Sequence, residues 1–574
     1  MRVTNLICIE SIRKNSTVKG KKRILKTIFS YDKIQSECES RSFIMNTKKH
    51  NRSVIEMSVE WLKNRVFYNI YPQSFYDTNG DGIGDLQGIT QKLDYIKEMG
   101  YNGIWINPIY ESPFGDAGYD VSDFYKVAPR YGTNEDFRIL AQECKKRDIK
   151  IILDLVAGHT STECEWFKKS AEHERNEYAN RYIWTDSVWD TNEGKGGFIG
   201  GMAQRDGCYM PNFFCFQAAL NYGFKNVEKP WQLPMAHPDC IKTRDELINI
   251  IKYWCGLGAD GFRVDMASSL IKNDPEREGL RELWAYIKEE MHKDYPEAIL
   301  VSEWSYPIDA IDSGFDVDFI IHFNLKAYTS LFRYEKGTNP DDNLLGNSYF
   351  RSEGKGDIDE FLDEYLEHYN ATKGKGYISI PSGNHDLPRV AKGRSFEDLK
   401  VAYAFLLTMP GIPFIYYGDE IGMRYMENIP SKEGGYNRTG SRTPMQWNES
   451  KNKGFSTSDT PYLPVDSSAD APTVESQYND ENSLLNTVKK LIKIRQENEV
   501  LCADGEFEVI RKGYPFVYRR FNADESVIVA LNPSNEEVKV ELPIADEVLG
   551  SENVQLDNGE IVFGKQSYII YKTK

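Results

Sequence analysis

Hydrophobic runs of strand length alternate with stretches of helical periodicity from residue 66 onward. The apolar runs predict strands at 66–71, 103–106, 150–156, 261–265, 298–303, 316–322, 376–381 and 413–417. Amphipathic stretches predict helices at 86–99, 134–147, 245–255, 280–292, 357–369 and 396–408. Strands that alternate with helices in this way predict an α/β chain folded as a (β/α)8 TIM barrel.

The alternation of predicted strands and helices is interrupted once, and it ends before the C-terminus. Residues 160–236 are rich in aromatic residues, Gly and Asn without a clear βα unit, which predicts an inserted subdomain after the third strand. The barrel should then comprise residues 57–159 and 237–500. From residue 501 apolar and polar residues alternate between turn signals, which predicts a C-terminal antiparallel β-sandwich. A doubly wound open sheet is the alternative, but no GxGxxG follows the first strand.

The first 56 residues differ from the remainder in charge. They hold 13 Lys or Arg and 5 Asp or Glu, a net +8 within a chain total of −17, which leaves −25 for the rest. They lack an apolar signal core and a small-residue cleavage site. We therefore predict a disordered basic extension, or a start upstream of the one the cell uses. A nucleic-acid or targeting patch at residues 19–23 is the alternative.

The bulk composition limits the possible partners. An acidic body argues against nucleic acid or an anionic membrane, and no apolar run approaches the ~20 residues of a spanning helix. Nine cysteines without a CxxC pair are typical of a reducing compartment. We expect a cytoplasmic monomer or weak oligomer. The 35 Tyr and 10 Trp residues suit small, neutral ligands such as sugars, or else interfaces.

Charged side chains gather where four of the predicted strands end, which is the catalytic edge of a barrel. These ends carry the 154–159 segment with Asp154 and His159, then Arg263 with Asp265, Glu303, and His385 with Asp386. Two carboxylates in different surroundings are what glycoside hydrolysis requires. Arg263 should lower the pKa of Asp265, which would then be the nucleophile. Glu303 follows an apolar run and should stay protonated as the acid/base. Each acid taken alone could instead cap a helix.

These strand-end segments are together similar to a known family. DLVAGH (154–159), GFRVD (261–265), SEW (302–304) and NHD (384–386) resemble the four signature regions of the α-amylase superfamily, glycoside hydrolase family 13. The resemblance implies retaining hydrolysis or transfer at α-glucosidic bonds. It implies that Asp265 is the nucleophile, Glu303 the acid/base and Asp386 the transition-state stabiliser. It also implies that Arg263, His159 and His385 surround the sugar at the −1 subsite.

Two positions bear on calcium binding: Gly158, which departs from the family pattern, and the loop of residues 77–85. Gly158 stands where many members of the superfamily carry an Asn that binds a calcium ion, which puts that ion in doubt. The loop of residues 77–85, DTNGDGIGD, resembles the calcium loop of oligo-1,6-glucosidases. Oxygens at alternate positions are what a hard cation requires. The predicted ligands of a structural Ca²⁺ are Asp77, Asn79, Asp81, Ile83 and Asp85. A turn without metal is the alternative. We expect no organic cofactor.

Two further segments resemble those of exo-acting members. In Gly118-Tyr119-Asp120 the resemblance implies that Tyr119 stacks on the terminal glucose and that Asp120 pairs with an arginine behind it. The run RTGSRTPMQW (438–447) supplies Arg438 or Arg442 as that partner, and the sequence does not choose between them. A purely structural ion pair is the alternative.

Linkage preference rests on weaker markers. Gln217-Ala218-Ala219-Leu220-Asn221 resembles a degenerate QPDLN segment, which marks oligo-1,6-glucosidases. Met266 follows the nucleophile, where the resemblance implies Val for α-1,6 preference and a smaller or polar residue for α-1,4. Met is apolar and leans toward the first class, although such a Met more often serves packing.

The expected activity is therefore that of an exo-acting α-glucosidase on short isomalto- or malto-oligosaccharides. Within the same family the alternatives are a trehalose synthase, a sucrose isomerase or a trehalose-6-phosphate hydrolase. The last of these needs cations near the +1 site, for which Lys225, Lys229 and Lys242 are candidates. A non-catalytic amylase-like transporter subunit is disfavoured because the carboxylates are complete and no membrane segment is present.

Overall fold

The computed structural model describes residues 59–192, 197–332, 348–557 and 560–573. The basic extension predicted at residues 1–56 lies outside them, so that prediction stays a prediction. None of the described helices combines the length and the apolar character needed to cross a bilayer.

Most strands are short and buried. In chain order they are β1 (Phe67–Ile70), β2 (Gly103–Ile106), β3 (Tyr110–Glu111), β4 (Asp123–Val127), β5 (Lys150–Leu155), β6 (His159–Ser161), β7 (Gln217–Ala219), β8 (Gly261–Val264), β9 (Ile299–Ser302), β10 (Val317–Phe319), β11 (Tyr377–Ser379), β12 (Phe414–Tyr416), β13 (Glu506–Arg511), β14 (Phe516–Phe521), β15 (Ser526–Asn532), β16 (Val538–Glu541), β17 (Glu547–Asp557) and β18 (Glu560–Thr573).

Eight of these strands form one parallel sheet within the described residues, in the order β11-β10-β9-β8-β5-β2-β1-β12. Its two outer strands also meet. The Ile412 N–H donates to the Ile378 carbonyl at 3.3 Å, and the Ser382 N–H donates to the Phe414 carbonyl at 3.0 Å. The sheet thus curls into the predicted barrel. Strands buried on both faces explain why the sequence shows continuous apolar runs rather than alternation.

Helices follow most barrel strands and cover the sheet. They are α1 (Leu86–Gln91), α2 (Leu93–Glu98), α3 (Asn134–Lys146), α4 (Glu165–Ser170), α5 (Pro238–Leu257), α6 (Glu278–His292), α7 (Pro307–Asp312), α8 (Ala327–Phe332), α9 (Asp359–Thr372), α10 (Phe396–Thr408), α11 (Val474–Tyr478) and α12 (Leu484–Glu497). The predicted helix at 86–99 is two helices separated at Lys92. Helix α5 begins at Pro238 rather than 245, because Pro fits the first helical position and His237 caps it.

The segment between the third and fourth barrel strands contains little regular structure. Strands β6 and β7 pair antiparallel across this segment, and isolated bridges such as Trp184 with Tyr209 hold the remainder. The insert begins directly after β5, the strand that carries Asp154.

The C-terminal part is one antiparallel sheet of six strands rather than two separate sheets. Strand β18 pairs with β15 through its second half and with β16 through its first half, while β17 runs along both. Side chains from β14 and β15 share one apolar cluster with Ile561 and Phe563 of β18. The expected sandwich core thus forms within a single continuous sheet, because one long strand belongs to both halves.

Candidate active site

Adjacent strands bring the predicted residues to one end of the barrel. Asp154 on β5 lies opposite Arg263 on β8, and Val264 lies opposite Ser302 on β9. This register continues beyond the strands, since the Glu303 N–H donates to the Val264 carbonyl at 3.0 Å. Residues far apart in sequence therefore end at the same level, as a parallel barrel requires.

The guanidinium of Arg263 is the centre of the cluster. One nitrogen, Nη1, lies 2.5 Å from Asp154 Oδ1 and 3.3 Å from Asp265 Oδ1, and Nη2 lies 2.6 Å from Glu303 Oε1. Arg263 and the three carboxylates are each less than a tenth exposed. A fixed fork of donors holds carboxylates in defined directions. The two proposed catalytic acids therefore share one cation.

The expected lowering of the Asp265 pKa is not found. Burial raises the pKa of Asp265 well above its usual range, and the Glu303 carboxylate raises it further. The Arg263 charge opposes both effects but is outweighed. The prediction was wrong because it treated Arg263 as the partner of Asp265 alone. In the folded protein one cation serves three buried carboxylates, so one of the acids retains a proton more readily.

Glu303 is held at both of its oxygens. Besides the Arg263 contact of Oε1, Oε2 accepts a hydrogen bond from the Met266 N–H at 2.9 Å. Met266 has a left-handed backbone, with φ 43° and ψ 44°, which is unusual for a residue other than glycine. This turn directs the backbone N–H after the proposed nucleophile toward the other catalytic acid.

Asp386 lies in a separate positive pocket. Its Oδ1 accepts hydrogen bonds from Arg438 Nη1 at 2.8 Å and Arg442 Nη2 at 3.0 Å, and its Oδ2 lies 3.2 Å from His385 Nε2. Burial would raise the pKa of Asp386, but the neighbouring His385 imidazole and the charges of the two arginines outweigh it and hold that pKa far below its usual range. Asp386 is therefore an ionised acceptor.

Asp120 pairs with no arginine in the part of the chain that the structure describes, and the predicted contact was wrong. Its carboxylate accepts hydrogen bonds from the backbone N–H groups of Gly115 (2.8 Å) and Asp116 (3.0 Å) and from Ser112 Oγ (2.9 Å). Asp120 is fully buried. It organises its own turn, because short polar side chains readily satisfy nearby backbone donors.

Asp116 occupies the position expected of Asp120. Its Oδ1 lies 3.4 Å from Arg438 Nη2, and its Oδ2 accepts from Gln217 Nε2 at 2.8 Å. Arg438 thus bridges Asp116 and Asp386. Sequence reasoning missed Asp116 although it lies in the same turn. The signal available was a second acid four positions before Asp120, and only the folded turn shows which acid faces the arginine.

Tyr119 and the two histidines complete the cluster. The Tyr119 ring stacks on His385 with centroids 5.1 Å apart, and its hydroxyl lies 3.1 Å from Asp154 Oδ2. His385 Nδ1 contacts the Asn107 amide nitrogen at 3.1 Å. His159 uses both ring nitrogens within the protein, on the Tyr119 carbonyl (3.1 Å) and the Asn212 amide (3.2 Å). Burial lowers the pKa of His159 to about 4, so it is neutral.

The comparison with known families agrees with this geometry. The pattern of the family described as "Alpha amylase, catalytic domain" matches residues 69–504, which is most of the chain. The chain belongs to glycoside hydrolase family 13, the α-amylase family. It is therefore a glycosidase-type enzyme on a TIM barrel.

Individual members of family 13 with several activities resemble the chain equally well. The oligo-1,6-glucosidase of Parageobacillus thermoglucosidasius is 30% identical over 84% of this chain and 92% of its own. The trehalose-6-phosphate hydrolase of Bacillus subtilis (strain 168) is 31% identical over 84% and 91%. The structure of the trehalulose synthase MutB from Pseudomonas mesoacidophila MX-45 superimposes with a TM-score of 0.75 at 27% identity, covering 90% of this chain and all of MutB.

Protein atoms occupy the space beside Gly158 in this family-13 enzyme. A Cβ at Gly158 would lie 2.5 Å from Asn212 Nδ2 and 2.9 Å from Ser269 Oγ. The Lys272 ammonium donates to Asn212 Oδ1 at 3.2 Å and to the Ser269 carbonyl. Burial lowers the pKa of Lys272 to about 8. The departure at Gly158 thus accompanies a lysine whose charge faces two oxygens. Sequence reasoning missed Asn212 and Lys272, because nothing local to either position indicates this contact.

The 77–85 loop contains the donors that calcium prefers. Asp77 accepts the N–H groups of Gly80 and Gly82, each at 2.8 Å, and Asp81 accepts that of Ile83 at 2.8 Å. Asp85 caps α1 through the Gly88 N–H. None of the three carboxylates pairs with a Lys, Arg or His in the described part of the chain, which leaves their charge uncompensated by protein.

A cation in this loop would need more than the three carboxylates. No three Asp, Glu, His or Cys side chains among the described residues form a metal-binding group. The Asn79 amide oxygen and the Ile83 carbonyl oxygen would therefore have to contribute. Oxygen donors and net negative charge suit a hard cation, so the residues present are compatible with calcium, and calcium itself stays a prediction.

Proposed function

We propose that this chain is a retaining, exo-acting α-glucosidase that releases glucose from the non-reducing end of short isomalto- or malto-oligosaccharides. The observation that carries the proposal is the Arg263 guanidinium, which contacts both Asp265 and Glu303 at the carboxyl ends of neighbouring strands. Two carboxyl groups held by one guanidinium suit the short separation, about 5 Å, of retaining glycosidases. Inverting enzymes need a wider gap for water.

The chemistry then divides between the two acids. Asp265 attacks the anomeric carbon while Glu303 transfers its proton to the leaving oxygen, so that the glycosidic bond breaks as the Asp265 ester bond forms. A water molecule next gives a proton to Glu303 and its oxygen to the anomeric carbon, which releases α-glucose and restores both groups. The sequence requires one proton between the two carboxyl groups, and the single Arg263 guanidinium that contacts both of them suits that state.

Exo-action is supported by the closed end of the site. Asp116, Arg438 and Asp386 form a bridged ion pair, with distances of 3.4 and 2.8 Å. Fixed charged donors and acceptors suit the vicinal hydroxyls of a terminal glucose. A polymer chain that continued past this point would have to break the bridge. Asp386 is placed to strengthen its hydrogen bonds as charge develops at the anomeric centre.

A glucosyl-transfer or isomerising activity is the second candidate, favoured by one observation. Aromatic side chains line the insert and the loop beside Arg438. The Phe213 ring lies 5.9 Å from the Arg438 guanidinium carbon, and Phe214 lies 5.9 Å from Tyr436 between ring centroids. Phe213 and Tyr436 are more than half exposed. Apolar walls of this kind hold a sugar acceptor and limit water.

A role on phosphorylated disaccharides has less support. Lys225 pairs with Glu278 at 3.3 Å, and Lys242 pairs with Asp239 at 3.1 Å. Cations already neutralised by carboxylates on the surface are weaker phosphate ligands.

A product profile decides among these activities. The enzyme is incubated with maltose, isomaltose, panose, sucrose, trehalose and trehalose-6-phosphate, and products are followed by proton NMR from the first turnover. We expect glucose, released as the α-anomer, as the main product from isomaltose and panose. Initial release of β-glucose would contradict retention, and a rapid viscosity drop with soluble starch would contradict exo-action. Dominant transfer or isomer products would select the second candidate.

We also propose that the 77–85 loop binds a structural Ca²⁺. Added calcium should raise the melting temperature of the EDTA-treated enzyme by a few degrees, since a hundredfold excess over Kd contributes about 2.7 kcal/mol. Asp81→Ala should abolish this rise, whereas Asp524→Ala, at an exposed turn elsewhere, should keep it. Equal calcium responses in both variants would show that the ion binds outside this loop.

A cytoplasmic location remains part of the proposal. All seven cysteines among the described residues are free thiols. Free thiols are typical of a reducing compartment.

A further inference from the structure

A buried carboxylate on the neighbouring strand contacts residues on both sides of Glu303. Asp318 lies on β10 directly opposite Ser302 of β9. Both residues are completely buried. The Ser302 hydroxyl donates to Asp318 Oδ1 at 2.6 Å, so the residue before Glu303 is attached to this carboxylate.

The same carboxylate holds the residues after Glu303. Asp318 Oδ1 accepts the Trp304 N–H at 3.2 Å, and Oδ2 accepts the Tyr306 N–H at 2.8 Å. Between them Ser305 has a left-handed backbone with φ 53°. Such a turn is strained for a residue other than glycine and persists only when its surroundings determine it. The hydrogen bonds of Asp318 with Ser302, Trp304 and Tyr306 hold this turn on both sides of Glu303.

The Glu303 carboxyl group depends on this backbone for its direction. Its contacts with Arg263 (2.6 Å) and with the Met266 N–H (2.9 Å) are both short and directional. A shift of about 1 Å in a catalytic group costs on the order of a hundredfold in rate. A residue that fixes the turn at 304–306 therefore fixes the point from which a proton can be delivered.

We propose that Asp318 is a positioning residue for Glu303, which it aligns by binding the Ser302 hydroxyl before that residue and the Trp304 and Tyr306 N–H groups after it. The inference rests on the proposed function, because it takes Glu303 as the acid/base. Asp318 touches neither substrate nor reacting atoms. Its effect should therefore appear in the step that needs the acid and be small in a step that does not.

The chain offers a matched control on the same strand segment. Asp316 is also buried, and its Oδ2 accepts the Leu300 N–H of β9 at 2.9 Å. It pairs with Lys288 at 2.8 Å. Asp316 thus holds β9 through a backbone N–H, whereas Asp318 holds it through the Ser302 hydroxyl, and Asp316 does so at the opposite end of the strand from Glu303. A substitution that only weakened strand pairing should therefore lower activity in the same way at Asp316 and at Asp318.

The test compares two substrates in Asp318→Asn and Asp316→Asn. Isomaltose has a poor leaving group that needs the acid, whereas α-glucosyl fluoride needs little protonation. An asparagine keeps one acceptor oxygen and would present an N–H₂ group to a backbone donor, so part of the support is lost. We expect Asp318→Asn to lower kcat/KM for isomaltose about 10- to 100-fold and for the fluoride less than about threefold. Asp316→Asn should change both substrates by the same factor.

Equal losses on the two substrates in Asp318→Asn, or the same substrate dependence in Asp316→Asn, would overturn the proposal.

Glu303→Gln, measured alongside, distinguishes a failure of the Glu303 acid/base assignment from a failure of the Asp318 positioning role. If Glu303→Gln lacks the substrate dependence, the acid/base assignment fails. If Glu303→Gln shows it and Asp318→Asn does not, only the role of Asp318 fails. Should Asp318→Asn not fold, Ser302→Ala, which removes one of its donors, should show the same dependence with a smaller factor, and its absence there counts equally against the proposal.

Discussion

Replacing Asp265 with Asn is expected to reduce kcat by roughly 10⁴-fold or more, the scale seen when a catalytic nucleophile is removed. The amide is nearly isosteric but cannot form the glucosyl ester, while Arg263 keeps its contacts with Asp154 and Glu303. Steady-state rates on isomaltose measure the loss. In Glu303→Gln, incubation with α-glucosyl fluoride should instead leave one glucosyl unit attached to Asp265, which peptide mass spectrometry locates.

Asp260→Asn is the control for this prediction. Asp260 precedes the same strand at its opposite end, where its carboxylate accepts the Ile151 N–H at 2.9 Å and pairs with Lys150 at 2.8 Å. Residues at that face of a barrel contribute to stability rather than catalysis. The variant should melt earlier and keep its kcat. Near-normal turnover in Asp265→Asn, with the control behaving as expected, would remove Asp265 from the mechanism.

Replacing Asp116 with Asn is expected to lower kcat/KM for isomaltose roughly a hundredfold, since breaking a buried charge pair costs 2–5 kcal/mol, about 3 kcal/mol here. The change leaves Arg438 with Asp386 as its only carboxylate partner among the described residues. The loss should be the same for maltose, isomaltose and panose, because the proposed function puts the Asp116 bridge at the terminal glucose that all three share. Kinetics on the three substrates provide the measurement.

Glu433→Gln tests whether any ion pair in this loop would have the same effect. Glu433 pairs with Arg130 at 2.7 Å with similar burial, on the same segment as Arg438. Among the described residues, no hydrogen bond or ion pair joins Glu433 to Asp386 or Asp116. We expect a lower melting temperature and little change in kcat/KM. If Glu433→Gln and Asp116→Asn weaken catalysis equally, the bridge has no special role at the sugar.

The agreement between sequence and structure is closest where local pattern decides the outcome. Helix α10 begins and ends at the predicted residues, and strand β2 does so as well. Periodicity and capping are properties of neighbouring residues, so they can be recognised without the fold. The identity of the strand-end acids follows in the same way, because a strand's end is visible as the end of an apolar run.

The main corrections at the candidate active site concern contacts between distant segments. Arg438 lies 322 positions from Asp116, and no spacing rule tells whether it meets that acid or Asp120. The Asp265 pKa depends on burial and on Glu303 and Asp154, which reach it from other strands. Pairwise reasoning along one strand therefore chose the wrong direction.

The sequence by itself determined the alternating barrel, the inserted segment and which carboxylates stand at the catalytic edge. These features follow from hydrophobic period and from residue types at strand ends. Only the tertiary structure decided that one Arg263 serves three acids, that Asp116 faces the arginine pocket, and that Asp318 holds both sides of Glu303. Charge sharing and directional hydrogen bonds depend on distances of a few ångströms between separate strands, and those distances exist only after the barrel has closed.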